Sequence, residues 1–146
     1  MAHDGQYDLM IETPVMKDIL ALTQQAVKPL ETLNTKAINN LRELVTLDNK
    51  VSSSLIETHQ SAAHGVAWLA TYTESIRQMV KWGEKVSEQN KFGQTEQLLL
   101  QIAVSEYLGQ ILGGIMMSQG EIFRLNDIGL TTLDLSEFQT QAVKDL

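Results

Sequence analysis

Along most of the chain apolar residues recur at steps of three and four, the spacing that lays one oily stripe along an α-helix. Leu30, Leu33, Ala37, Leu41, Leu44 and Leu47 follow it. So do Leu55, His59, Ala62, Val66, Leu69, Thr73, Ile76 and Val80, in the alternating four and three of left-handed bundles. A second stripe, His64, Trp68, Tyr72, Met79, Trp82 and Val86, flanks that seam, and Thr71, Glu74, Gln78, Lys81, Lys85 and Glu88 make the polar side. Beyond Asn90-Lys91-Phe92-Gly93 the pattern resumes toward Arg124 on two flanks. One holds Leu98, Ile102, Leu112, Met116 and Phe123, the other Leu100, Val104, Ile111, Ile115 and Ile122. No strand-like alternation of useful length appears. The pattern predicts an all-α, up-down bundle of three long helices plus a short C-terminal helix.

Turn and cap residues place the boundaries. Residues 1–12 read as a flexible lead-in, and residues 13–146 as a single helical-bundle domain, with Thr13 as a cap and Pro14 at the first helical position. Pro29 removes a hydrogen bond inside the first helix at a cost of about 3 kcal/mol, so a kink there, or two shorter helices meeting, is expected. Asp48-Asn49-Lys50 is a polar turn. Ser54-Leu55-Ile56-Glu57 has the form of a capping box that opens the second helix. Asp134 and Glu137 repeat that logic for the last helix, with Leu133 placed to staple against Phe138. The third helix, extended to Arg124, holds four glycines. Gly109, Gly113 and Gly120 share a side of it, which predicts a shallow helix-contact groove.

Composition narrows the partners. The chain has 146 residues, no cysteine and a formal net charge of -7. That charge repels a phosphate backbone or an anionic membrane, so nucleic acid and membrane partners are not expected. Without cysteine there is no disulfide frame or thiolate site. The first ten residues lack a signal peptide's basic and apolar regions, and the expected location is cytoplasmic. The window from Leu98 to Met117 is long enough to span a bilayer but carries Gln101, Ser105, Glu106 and Gln110, and reads as a buried helix.

Candidate chemistry is sparse. His59 and His64 are five apart, about 140° around a helix, too far to share one metal. The Glu-x-x-His pairs of di-iron bundles are absent. His64, Trp68 and Tyr72 stand at i, i+4 and i+8 and form a candidate pocket for a planar ligand, though amphipathic side chains at a helix interface explain the same spacing. Glu106 lies between Val104 and Leu108, and a carboxylate in apolar company can be tuned for proton transfer; Gln110 one turn on fits a polar edge equally well. No phosphate-binding glycine loop or nucleophile elbow occurs. No residue is assigned as catalytic or as a metal ligand.

Two stretches carry a resemblance. His64-Gly65-Val66-Ala67-Trp68-Leu69-Ala70-Thr71-Tyr72, followed by Glu74-Ser75-Ile76-Arg77-Gln78, resembles part of the N-terminal helical extension of bacterial acyl-CoA dehydrogenase-family flavoproteins. So does Gly113-Gly114-Ile115-Met116-Met117-Ser118-Gln119-Gly120-Glu121-Ile122, and the segment between is similar in kind, from about Glu57 to Leu130. The family oxidises acyl thioesters with FAD and a glutamate base. The resemblance implies a segment preceding that flavoprotein core, with no base and no flavin motif to carry over and so no cofactor in this chain. The expected role is an accessory or oligomerisation domain, not catalytic by itself. It would form a homodimer through apolar surface one copy cannot cover, or associate with the flavoprotein core. The alternative is a small helical module binding acyl-CoA or flavin.

Overall fold

The computed structural model describes residues 15–146; the expected lead-in and the Thr13-Pro14 helix start lie outside them. The first helix, α1, spans Ile19–Val45 and runs through Pro29 as one element. Two separate helices are therefore not formed. Ala26, Leu30 and Leu33, on either side of the proline, are fully enclosed, and burying each leucine contributes about 1.5–3 kcal/mol, enough together to offset the missing bond.

The expected turn after α1 is a two-residue hairpin joining β1, Thr46–Leu47, to β2, Lys50–Val51. Asp48 (φ 51°) and Asn49 (φ 60°) are both left-handed, the conformation a tight hairpin needs and the one Asp and Asn tolerate. Helix α2, Ser53–Thr58, follows. Its cap is Ser52, whose hydroxyl accepts from the Leu55 amide at 3.4 Å, and not Ser54 as the capping-box pattern indicated. The chain then breaks at His59 (φ -107°, ψ 27°) before α3, Gln60–Glu88. The seam from Val66 to Val80 is buried as expected.

Helix α4, Gln94–Gly113, stops well short of Arg124. Gly114 ends it with φ 124°, a conformation open only to glycine. An added Cβ there would lie 2.6 Å from Ile122. The residues beyond form an antiparallel hairpin, β3 Ile115–Ser118 with β4 Glu121–Phe123, which Gly120 (φ 84°) helps to turn. This corrects the expectation of one helix with a glycine groove, since Gly120 does not lie on α4. The hairpin brings the Phe123 ring down on Gly65 of α3, where a Cβ would stand only 2.1 Å from the ring.

A 3-10 turn, Leu125–Ile128, leads to two short helices where one was expected: α5, Thr132–Phe138, and α6, Gln141–Asp145. Thr131 caps α5, and Asp134 is the reciprocal partner rather than the cap. Leu133 is exposed and makes no staple. Helices α1, α3 and α4 pack around one core, with β3 against α3 and with α5 and α6 against α1. Leu69, Ile76, Leu100, Val104, Ile111 and Phe138 are completely enclosed in it. Arg77 of α3 reaches Glu31 of α1 at 2.9 Å. Lys36 of α1 reaches Asp134 and Glu137 of α5, each at 2.7 Å.

Candidate functional site

The four-residue spacing on α3 does bring His64, Trp68 and Tyr72 together. The Trp68 indole N–H donates to His64 Nε2 at 3.0 Å, and the two rings are 6.3 Å apart. Trp68 meets Tyr72 edge-on at 6.0 Å. Sequence reasoning missed how the ladder continues: Tyr107 of α4 lies 4.4 Å from the Tyr72 ring, and the Tyr72 hydroxyl donates to Gln110 Oε1 at 2.7 Å. The signal was present as Tyr107 and Gln110 three apart on one side of α4. Burial, and then the neighbouring Tyr107, push the Tyr72 hydroxyl above its ordinary pKa.

Geometry limits what the ladder can hold. A planar ring slotted between two others needs roughly 7 Å between them, two contacts of about 3.5 Å. The centroid separations of 6.0 and 6.3 Å are shorter than that, and Tyr107 covers Tyr72. These side chains do not fit a flavin between their rings. Tyr72 joins α3 to α4 through Tyr107 and Gln110, while Trp68 is half-exposed and His64 exposed.

Two larger hollows lie elsewhere. One of about 550 Å³ runs between α1 and α3, past Lys28, Asn34, Lys36, Thr73 and Arg77; its Lys36 and Arg77 are already neutralised by carboxylates. The other, about 410 Å³, sits where α2 breaks from α3, beside His59, Ser61, Glu121 and Asp127. There Glu121 accepts from Ser61 at 2.9 Å. Among the described residues no group of three or more His, Asp or Glu side chains is placed to hold a metal ion. Glu106 is exposed on α4 rather than enclosed among apolar neighbours.

The outward side of α4 is the more unusual surface. Its inner side buries Leu100, Val104, Leu108 and Ile111, yet Leu99 is 52% and Ile102 57% exposed, and Leu112 is open as well. Met116 (66%) and Ile122 on the adjoining hairpin extend the series of open apolar side chains. Gly109 and Gly113 belong to the same outward side, and among the described residues a Cβ at either would meet nothing within 4 Å. Solvent faces of helices are polar as a rule, and an apolar patch left open marks an interaction site. Two of the three glycines proposed as a groove thus lie together on this face, and Gly120 belongs to the hairpin turn. No described helix is long and apolar enough to cross a membrane, so the oily side of α4 is not a bilayer span.

No family model matches the chain. It is similar to (2S)-methylsuccinyl-CoA dehydrogenase of Cereibacter sphaeroides, with 48% identity over 121 residues. The match covers 83% of this chain and 22% of that protein, so the chain spans about a fifth of its relative's length. The resemblance read from the sequence is thereby shown: this chain resembles one part of a protein of the acyl-CoA dehydrogenase family.

Proposed function

We propose that this chain is the accessory helical segment of a flavin-dependent acyl-CoA dehydrogenase-like protein and supplies an assembly surface instead of reacting groups. The observation that carries this reading is the run of open apolar side chains, Leu99, Ile102 and Leu112, along one side of a helix whose other side is buried in the core. A segment whose fold leaves Leu99, Ile102 and Leu112 in water is completed by another protein surface. The relative's name supports the class of chemistry served, oxidation of a carboxylated, branched acyl thioester. FAD belongs in this reading to the remainder of such a protein. The aromatic ladder, too closely spaced to admit a planar ring, acts as interhelix packing.

A chimera tests the proposal. Replacing the matched segment of the Cereibacter sphaeroides enzyme with this chain should retain FAD loading and methylsuccinyl-CoA oxidation. The same chimera carrying Leu99→Asp and Ile102→Asp should lose assembly and activity, while the isolated double variant keeps its helical circular dichroism. Turnover of methylsuccinyl-CoA by the isolated chain, or a chimera indifferent to the two aspartates, would refute it.

A further inference from the structure

We infer that the open side of α4 receives a helix from a surface other than a second copy of this chain, and that this helix brings a lysine or arginine to Glu106. The inference rests on the assembly role just proposed and deepens it by naming the chemistry of the partner. Leu98, Ile102, Ser105, Gly109 and Leu112 follow one another at steps of four, three, four and three, with Ile102, Gly109 and Leu112 exposed and Leu98 and Ser105 half-buried. That is a heptad seam, the spacing met by a second helix crossing at about 20°. The small residues Ser105 and Gly109 let the two backbones approach, and among the described residues nothing lies within 4 Å of a Cβ built at Gly109.

Charge selects the occupant. Glu106 is exposed on the flank of this seam at its middle, one turn from both Ile102 and Gly109. From Phe92 through Phe123 the sequence contains no lysine or arginine; its charged residues are Glu96, Glu106 and Glu121. If α4 packed against α4 of a second copy, every charge in the contact would be a glutamate. Burying a carboxylate without a counter-ion opposes binding, and like charges brought together oppose it further. A partner helix that presents a cation at that level removes both penalties. The self-pairing expected from the apolar surplus therefore meets an obstacle that a basic partner does not.

Two synthetic amphipathic helical peptides provide the test, both with leucine and isoleucine at heptad positions, one with a central flanking lysine and the other with glutamate. Fluorescence anisotropy with the full chain should show the lysine peptide binding at least about tenfold more tightly. The chain's net charge of -7 would favour a lysine peptide anywhere, so the decisive variant is Glu106→Gln, which should bring the two affinities together. Glu106→Lys should reverse their order. Equal binding by wild type, or a preference that survives in Glu106→Gln, overturns the cation assignment. Binding of neither peptide overturns the helical partner. A dimer in sedimentation equilibrium that Ile102→Asp abolishes would overturn the inference in favour of self-association. Because Glu106 is exposed, Glu106→Gln leaves the fold intact, which circular dichroism checks. A failed chimera with discriminating peptides would sink the flavoprotein assignment alone; a working chimera with indifferent peptides would sink only this inference.

Discussion

Helices α3 and α4 pack side by side, and both bury an unbroken apolar stripe, but they meet water differently. Helix α3 presents Thr71, Glu74, Gln78, Lys81 and Lys85 outward, and its buried Tyr72 is tied to α4 by the Tyr107 ring and a hydrogen bond to Gln110. Helix α4 presents Leu99, Ile102, Gly109, Leu112 and Gly113, with Glu106 as the charged residue among them. The polarity of α3 is resolved within this chain. That of α4 is left open among the described residues. On the proposed function, stability and assembly are carried by different sides of the same bundle, and substitutions should separate them.

The largest expected effect is on the α3 side. Leu69 is fully enclosed, and Leu69→Ala should destabilise the isolated chain by about 2–5 kcal/mol through lost burial and the cavity left behind. Ile102→Ala on the outward side of α4 should change stability by no more than about 0.5 kcal/mol. Urea unfolding of both variants checks the contrast, and comparable losses would mean that the chain itself covers α4. Next comes Gly65→Ala. Its Cβ would sit 2.1 Å from Phe123, and forcing the ring aside should cost about 1–3 kcal/mol in the same measurement.

The three long helices were legible because their buried stripes are periodic over many turns, and tertiary packing agreed with that local signal. The end of α4 was not. Ile115, Met116, Ile122 and Phe123 satisfy a helical period as well as an extended one. Only Gly114, needed at positive φ, and Gly65, needed beneath Phe123, decide between them. Ser52 and Ser54 are equally good caps by composition, and the hairpin bond from the Ser52 amide to Val45 O, 2.9 Å, places Ser52 at the helix start. For the candidate site, His64, Trp68 and Tyr72 were visible at four-residue spacing, but their closure by Tyr107 and Gln110 depends on how α3 and α4 lie together. The surplus of apolar surface on α4 was legible as its two oily flanks. Which flank faced outward was not, because either could have met the core.

Gly109→Ala gives a smaller effect of opposite sign. With none of the described residues within 4 Å of the added Cβ, the substitution should stabilise the isolated chain by roughly 0.5–1 kcal/mol, the helix-interior penalty of glycine relative to alanine. In the proposed assembly the same methyl group would intrude on the partner helix. Thermal unfolding of the isolated chain should therefore improve while peptide affinity falls. Improvement in both would remove the close-approach role of Gly109.

The smallest effect distinguishes a carboxylate already satisfied within the chain from Glu106, which makes no ion pair among the described residues. Asp134 is held down to about 2, first by its hydrogen bond from Lys36 and then by the Thr131 amide and hydroxyl, both at 2.7 Å. The ordinary value is 3.8, so between those limits the unfolded chain binds the proton more readily than the folded one. Stability from this site is thus complete above about pH 4 and declines as pH falls toward 2. Urea midpoints across that window should fall less steeply in Asp134→Asn than in the wild type. Glu106→Gln should leave the urea midpoint of the isolated chain at neutral pH unchanged, because its counter-ion, on this reading, comes with the partner. A lowered midpoint in Glu106→Gln would show that α4's carboxylate is already engaged inside the bundle and would erase the difference between the two helices.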